Sequence, residues 1–502
     1  MATRVDFMTS WSPDWDLLQE AIGGEVILAD SSSYEVARKP ALARYHNSRP
    51  QAIVLASSAS DVAETIRFGR RFGLRTSPRS GGHCFAGRSS TGDIIIDVAS
   101  MCSVSFLNDV VTVGAGARLG NIYDALAARG RTIPAGCGPS VGIAGLTLGG
   151  GLGTLGRKYG LTCDHLLSAR VVLADGRIVD CDEHHDAELF WGLRGAGGGQ
   201  LGVVTSLVFA TKPAPTSTFF HLVWSPLHAN AVFDVWQTWA PAAPDELDAN
   251  LRLTVSGKPD RSPVVHLFGA MLGGKPDTDT LLDEFVSRVG ANPETQCRQP
   301  MSYREVKRRL SGLGSVDAEQ DQQWSMFSKS EFFQQPLPRH AITSVLDAFV
   351  KGCGPGQSRE LNLTPWGGAY NRVPSHATAF VHRDELFMIE HVVMVDPASP
   401  SAELSAARAW LSRSWASVHP WASGRVYPNF PDPELENCAE AYFGSNLERL
   451  LWVKQKYDPG NWFSFPQSLG SQLTTATRER PYVDAPGTGL AIGHQIGMGE
   501  VR

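Results

Sequence analysis

The chain has 502 residues, of which 42% are apolar and 19% are charged. This composition is typical of a globular protein with a large core and excludes disorder as the main state. The formal net charge of −6 disfavours binding to a nucleic-acid backbone. No apolar stretch has the length of a membrane span, and no secretory signal begins the chain, so we expect a protein without a membrane anchor. The eight cysteines form no CxxC pair, which favours a reduced, cytoplasmic protein without a zinc site.

The first 210 residues predict an α+β unit with many short strands and few long helices. A strand at 51–56 is followed by a helix that Ser60 or Asp61 caps and that Gly73 ends. An Asp175-Gly176 turn between two apolar runs predicts a β-hairpin. Further strands are predicted at 93–98, 110–113 and 201–210, and a helix at 121–128.

The proline-rich stretch TKPAPT at 211–216 indicates a domain boundary. Strands at 219–224, 251–255 and 264–271, and a helix at 278–289, then predict a second α+β unit in which helices pack on a sheet. Near the end, Ser445 and Glu448 match a capping box that starts a helix.

Glycine is unusually frequent, at 50 residues, and it is clustered in three segments. In SPRSGGHCFAG, at 77–87, Gly81 and Gly82 allow backbone N–H groups to approach a ligand, and His83 follows directly. The alternative is a plain turn with a surface or core histidine.

The second segment, at 134–161, holds ten glycines, too many for a helix or a strand. It matches neither GxGxxG nor a P-loop, and its apolar residues disfavour a flexible linker. A backbone that wraps a large cofactor accounts for it. The third segment, ELFWGLRGAGGGQLGVV at 188–204, places an aromatic pair, an arginine and more glycines before a strand.

Together these segments resemble the FAD-linked oxidases of the vanillyl-alcohol oxidase superfamily, and most closely its berberine-bridge-enzyme-like branch. The RSGGH signature of that family appears at 79–83, VGxGGxxxGGGxG at 141–153, LFWxLRGGGGxxGVVT at 189–205 and YDPxNxFxxxQS at 457–468. The four matches run in order over nearly the whole chain.

The resemblance implies a PCMH-type FAD-binding domain made of 1–212 and 427–470, with a substrate domain of antiparallel sheet and helices inserted at 213–426. Residues 471–502 would form a C-terminal tail. His83 aligns with the residue that carries an 8α-histidyl bond to the flavin. The other expected FAD-binding residues are Arg79, Ser80, Gly81, Gly82, Gly138, Ser140, Val141, Gly142, Gly145, Gly149, Gly202, Val203, Val204 and Asn461.

A second flavin link through cysteine is an open alternative. Bicovalent members of the family have their cysteine at the position of Gly138, whereas this chain has Cys137 one residue earlier. We therefore predict attachment through His83 alone. Cys137 would reach the flavin only if the loop shifted locally. Val141 stands where oxygen-reactive members carry valine, which favours an oxidase.

The resemblance also suggests the catalytic base. Tyr442, in EAYFGSNLERL, matches the tyrosine that bacterial and oligosaccharide relatives use, and Tyr370, in WGGAYN, is a candidate to lower its pKa. The alternative for both is a buried structural aromatic. The adjacent His184 and His185 fit a charged turn better than a metal site, and we expect no metal.

The sequence thus predicts an FAD-dependent oxidase that takes a hydride from an alcohol, a hemiacetal or an activated C–H of a small natural product or sugar and reduces dioxygen to hydrogen peroxide. The departures from plant members suggest a bacterial tailoring enzyme of antibiotic or other secondary metabolism, a monomer or a homodimer. One alternative is a flavin-dependent oxidative cyclase or dearomatising enzyme acting on a phenol. An alternative of another class is a flavin-binding protein without turnover.

Overall fold

Two runs of β-branched apolar residues, AIVL and IIID, form the centre of the first sheet. In the computed structural model, which describes residues 12–257, 262–313 and 324–472, this sheet has the order β1-β2-β4-β3. Its strands are β1 (Glu25–Leu28), β2 (Ala52–Leu55), β3 (Thr76–Arg79) and β4 (Ile94–Asp97). Strands β2 and β3 both pair in parallel with β4, and the burial of β2 and β4 on both faces is typical of parallel strands.

The second sheet has the order β5-β6-β10-β8-β9 and contains the predicted hairpin. Strands β8 and β9 pair antiparallel across the Asp175-Gly176 turn, and Gly176 has a φ of +81°, which favours glycine. The strands are β5 (Val104–Leu107), β6 (Val110–Gly114), β8 (Leu166–Val172), β9 (Ile178–Asp182) and β10 (Val203–Ala210), and a short pair joins β7 (Arg131–Thr132) to β11 (Lys212–Pro213).

Short helices connect these strands, and the first long one begins earlier than predicted. It spans Ala59–Phe72, and Ser58 caps it by accepting a hydrogen bond from the Asp61 N–H, so the assignment of the cap to Ser60 or Asp61 was wrong. Gly73 ends it in the left-handed conformation, as predicted. The other helices up to residue 193 are Trp15–Ala21, Tyr34–Ala37, Leu119–Ala127, Ile143–Leu148, Gly156–Tyr159 and Ala187–Leu193.

A seven-stranded antiparallel sheet follows, with the order β15-β12-β14-β13-β17-β18-β16. Leucine, valine and phenylalanine alternate along its strands and bury one face of the sheet under helices. The strands are β12 (Thr216–Trp224), β13 (Leu247–Ser256), β14 (Val264–Leu272), β15 (Thr295–Ser302), β16 (Ser325–Phe333), β17 (Gln357–Pro365) and β18 (Phe387–Val395). The helices of this part are Ala229–Ala242, Lys275–Val289, Tyr303–Gly312, Arg339–Val350, Ala369–Arg372 and Ser401–Ala416.

The last described segment returns to the first two sheets. Its helices are Cys438–Phe443 and Leu447–Tyr457, and the residue before the second is Asn446, so the capping box predicted at Ser445 was wrong. Lys454 is fully buried and donates hydrogen bonds to the Gln200 carbonyl at 2.7 Å and to the Asp458 carboxylate at 2.7 Å. This buried lysine ties the end of the chain to the segment before β10.

One arginine fastens the two halves of the molecule together. Arg157, in the helix Gly156–Tyr159, is 2% exposed and points into the inserted part of the chain. Its guanidinium donates to the carbonyls of Leu247 at 3.0 Å, Pro241 at 3.1 Å and Ala243 at 2.6 Å, and also to that of Trp366. Charge-assisted bonds of this kind hold the inserted domain in a fixed position against the glycine-rich segment.

Within the described part of the chain, no helix combines the length and the apolar composition that crossing a bilayer requires. The predicted tail, 471–502, lies outside the described residues except for its first two.

Candidate active site

A cavity of about 640 Å³ opens where the first two sheets, the glycine segments and the end of the chain meet. Its wall comes from the stretches 76–89, 136–152, 198–204, 427–431 and 463–465. All three glycine-rich segments therefore contribute to one site. The volume is ordinary for a pocket that binds a cofactor or a small ligand.

The loop after β3 forms one wall and is fixed by its own polar side chains. Arg79 pairs with Asp97 at 2.8 Å, and Ser80 donates to the Ala115 carbonyl at 2.6 Å. Gly81 approaches the backbone of Gly142 so closely that a Cβ atom would lie 2.3 Å from the Gly142 nitrogen. Close approach thus explains this glycine, and Gly82, at a φ of +71°, turns the chain toward the cavity.

His83 lies in the cavity wall and is held as a neutral imidazole. Burial, together with the charge of the nearby Arg118, lowers the pKa of His83 to about 4. The Ser140 hydroxyl lies 3.1 Å from Nε2. A neutral imidazole keeps one nitrogen lone pair and is the form of histidine that acts as a nucleophile. Ser140 itself supports His83 rather than lining the cavity.

The second glycine segment forms the opposite wall. Gly138, Val141, Gly142 and Gly145 line the cavity, and a Cβ atom on Gly145 would meet open space there. Gly149 lies behind the wall, where a Cβ atom would come within 2.1 Å of the Asn429 side chain.

Cys137 also lines the cavity. Its Sγ lies 3.4 Å from the Thr154 hydroxyl and 3.9 Å from Nζ of Lys307, a buried lysine from the inserted domain. Burial lowers the pKa of Lys307.

Gly202, Val203 and Val204, at the start of β10, complete the wall as predicted from the third segment. Asn461 does not line the cavity. It adopts a φ of +49° in a turn in which its N–H donates to the Asp458 carbonyl at 2.9 Å. Its role is therefore to shape the turn that carries 463–465 to the cavity.

Tyr442, predicted as the base, and Tyr370, predicted to lower its pKa, both lie outside the cavity wall. Tyr442 is 2% exposed, and its hydroxyl accepts a hydrogen bond from the Asp432 N–H at 3.0 Å. The Tyr370 hydroxyl is bound to the backbone of Gly153, donating to its carbonyl at 3.0 Å. Burial raises the pKa of both phenols well above the usual value. Tyr442 as the base, with Tyr370 beside it, stays a prediction, and the buried structural aromatic stays the alternative for both.

Tyr427 is the tyrosine of the cavity wall, and the sequence analysis missed it. Its hydroxyl oxygen receives the N–H groups of Gly151 at 3.0 Å and Leu152 at 3.1 Å, and the side-chain amide of Asn429 at 3.1 Å. A neutral phenol oxygen has two lone pairs, so at most two of these three donors bind it at one time, and the hydroxyl hydrogen is left for another acceptor. Burial raises the pKa of Tyr427 to about 12, so the phenol is neutral near pH 7. The signal in the sequence was a short proline-containing loop at a predicted domain boundary.

The second face of the seven-stranded sheet, part of which is covered by the helix Tyr303–Gly312, adjoins this wall. Met388, on β18, packs in one cluster with Tyr427, and the cavity residues Leu152 and Phe430 pack against that cluster. Glu390 follows two residues later on the same face and is buried. Burial, with repulsion from Glu360, raises the pKa of Glu390 to about 7. A glutamate inside the apolar run FMIEHVVMV was a signal that the sequence analysis did not use.

The wall fits FAD rather than a metal. Flexible glycine backbone, open space beside Gly145 and a neutral histidine suit a large planar cofactor with a diphosphate. Among the described residues, no group of three or more histidine, cysteine, aspartate or glutamate side chains is arranged to hold a metal ion. His185 contacts Asp182 at 3.0 Å in an exposed turn before a helix, as its sequence suggested.

Comparison with known proteins also indicates an FAD-binding protein. The FAD binding domain family matches residues 50–182, and the family described as berberine and berberine like matches residues 426–470. The uncharacterized FAD-linked oxidoreductase YvdP of Bacillus subtilis is 32% identical over 431 residues, which are 84% of this chain and 92% of the relative. Chitooligosaccharide oxidase of Gibberella zeae is 30% identical, with 84% of this chain and 87% of the relative covered.

Solved structures agree over the whole fold. Physcomitrella patens BBE-like 1 superposes with a TM-score of 0.81 at 28% identity, and berberine bridge enzyme from Eschscholzia californica with a TM-score of 0.80 at 26% identity. Each comparison covers 91% of this chain and 98% of the other. The chain therefore belongs to the berberine-bridge-enzyme-like FAD-linked oxidoreductases, with FAD as cofactor and a PCMH-type FAD-binding fold.

Proposed function

We propose that this oxidoreductase is an oxidase that removes a hydride from an alcohol, a hemiacetal or an activated C–H of a small natural product or sugar, with dioxygen as acceptor and hydrogen peroxide as product. The observation that carries the proposal is the neutral, half-buried His83 in the wall of the glycine-lined cavity. FAD, when bound, would supply the chemistry of hydride acceptance and of electron transfer to dioxygen. Relatives named reticuline oxidase and chitooligosaccharide oxidase support this class of reaction.

We propose that His83 carries the flavin through an 8α-histidyl bond. Ser140 orients the imidazole through Nε2, and burial keeps the ring free of a proton, so that a nitrogen lone pair is available. Cys137 lies in the same wall, one residue away from the position that bicovalent members use. The proposal is a single link, and mapping of Cys137 tests it.

The chain's own groups handle the hydroxyl proton of the substrate. Tyr427, whose oxygen accepts hydrogen bonds from neighbouring N–H groups, donates its hydrogen to the substrate oxygen and positions it. Glu390 is not itself part of the cavity wall, but it lies two residues from Met388 on the sheet face that packs against Tyr427. With a pKa of about 7 it would accept the substrate proton, because a base is most effective when its pKa lies near the working pH. The parallel rings of Phe85 and Phe430, 5.3 Å apart, give the site an apolar aromatic surface.

The test begins with the intact mass of the purified, acid-denatured protein, followed by peptide mapping. An FAD-sized increment on the peptide of His83 supports the proposed link, and a bridge from His83 to Cys137 overturns the single attachment. His185→Ala, an exposed control, should leave the increment unchanged.

A panel of alcohols, sugars and phenols is then added without oxygen. Bleaching of the flavin, followed by peroxide formation in air, supports the oxidase. A colourless protein without an increment overturns it, and a ring-closed product from a phenol would identify the alternative cyclase.

A further inference from the structure

A row of polar side chains crosses the second face of the seven-stranded sheet, opposite the large helix-covered core. The register of the strands places Ser330 of β16 opposite Glu390 of β18, Glu390 opposite Asn362 of β17, and Asn362 opposite Arg252 of β13. Arg252 in turn lies opposite His266 of β14. Because each pair shares a sheet face, the five side chains form a continuous line.

The hydrogen bonds along this row have a fixed direction. Nε of Arg252 donates to Oδ1 of Asn362 at 2.7 Å. Because arginine has no acceptor, the NH₂ group of the Asn362 amide must point away from Arg252. This NH₂ group donates to the carboxyl groups of Glu360 at 3.2 Å and of Glu390 at 3.4 Å. One amide thus holds two buried carboxyl groups side by side.

Glu360 lies two residues before Asn362 on the same face and is 4% exposed. Its Oε2 lies 3.7 Å from Nε of Arg252, whereas its Oε1 is buried without a hydrogen-bond partner among the described residues. A buried, half-satisfied carboxyl group is costly for the fold, so this one calls for an explanation.

We infer that Glu360, Asn362 and Arg252 are positioning residues that hold the Glu390 carboxyl in place and set its affinity for a proton. The inference rests on the proposed function, in which Glu390 takes the hydroxyl proton of the substrate. The O–H bond of the substrate breaks, the proton joins a carboxylate oxygen of Glu390, and the electron pair of that bond stays on the substrate oxygen.

The charges around Glu390 act in opposite directions. Burial raises the pKa of Glu390 most, and repulsion from Glu360 raises it further, whereas hydrogen bonds from Asn362 and Ser328 and the positive charge of Arg252 lower it. His266, further along the row, has its pKa lowered to about 4 by burial and is therefore neutral near pH 7. The carboxyl pair and Arg252 are thus the charges that decide the ionisation of Glu390.

Two substitutions test the network because they should shift the same titration in opposite directions. Glu360→Gln removes the repulsion and should lower the midpoint of the pH profile of anaerobic flavin reduction by about one unit. Arg252→Met removes the attraction and should raise that midpoint by a similar amount. Glu294→Gln changes an exposed carboxyl group of the same domain and should leave the midpoint in place.

A merely structural network would lower the yield or the rate of both variants and leave the midpoint unchanged, which would overturn the inference. Infrared difference spectra of the wild-type holoenzyme between about pH 5 and pH 9 provide a reading without substrate. The band of the Glu390 carboxyl group is the one that disappears in Glu390→Gln. In Glu360→Gln, the pH midpoint at which this band changes should be lower than in the wild type. If no alcohol bleaches the flavin, the proposed function fails, whereas a fixed infrared midpoint contradicts the network itself.

Discussion

The ionisation of Glu390 gives the most direct prediction about catalysis. Its pKa of about 7 means that the carboxylate is about one tenth of the population one unit below that pH and about nine tenths one unit above. If Glu390 accepts the substrate proton, the rate of flavin reduction should rise about tenfold between roughly pH 6 and pH 8 and then level off. The sign follows from the reaction, because only the deprotonated form can act.

Glu390→Gln keeps the shape of the side chain and removes the proton acceptor. The expected loss in the rate of flavin reduction is about 10²- to 10⁴-fold, the usual contribution of a general base. The assay is rapid mixing of the oxidised holoenzyme with substrate in the absence of oxygen, across the pH range. Flavin content, measured in each preparation, separates loss of chemistry from loss of cofactor.

Tyr442→Phe and Tyr370→Phe are the matched controls. Their hydroxyl groups bind backbone groups, so each variant should reduce the flavin within about threefold of the wild-type rate. A flat pH profile, or a Glu390→Gln variant as fast as these controls, would refute the assignment. A large loss in Tyr442→Phe alone would instead restore the assignment made from the sequence.

Three further variants test the cofactor site and the domain contact. His83→Ala should release all FAD on acid denaturation, which the absorbance of the supernatant measures, whereas wild-type FAD should stay with the protein. Arg157→Met removes a buried charge bonded to four carbonyls and should lower the free energy of unfolding by about 3–5 kcal/mol in urea titrations; a loss below about 1 kcal/mol would contradict this. Gly149→Ala places a methyl group against Asn429 and should slow flavin reduction about two- to tenfold, whereas Gly460→Ala, which meets open space, should not.

The sequence predicted the parts of the site that depend on local backbone chemistry. The clusters of glycine led directly to the cavity wall and to His83, and the Asp-Gly turn led to the hairpin of β8 and β9. Such features are encoded within a few neighbouring residues. Helix caps were less predictable because several neighbouring polar residues could each cap the same helix. Ser58, rather than Ser60, accepts the hydrogen bond from the first turn.

The groups proposed to handle the proton were not predictable in this way. A sequence motif singles out Tyr442, but a motif does not show which way the side chain points. In the structure its hydroxyl group binds the backbone of Asp432. The alignment of Glu390, Asn362 and Arg252 depends on the register of three strands that are far apart in sequence. Register is decided by the packing of the whole sheet, so a single sequence does not reveal it.

The order of segments along the chain has a consequence for biosynthesis. Two of the stretches that enclose the cavity, 427–431 and 463–465, are translated last, and Lys454, which joins them to Gln200, lies between them. The inserted sheet is complete before these residues leave the ribosome, since its strands end at Val395. We therefore expect cofactor capture to follow the synthesis of 427–431 and 463–465, and a chain that stops before residue 427 should acquire no flavin.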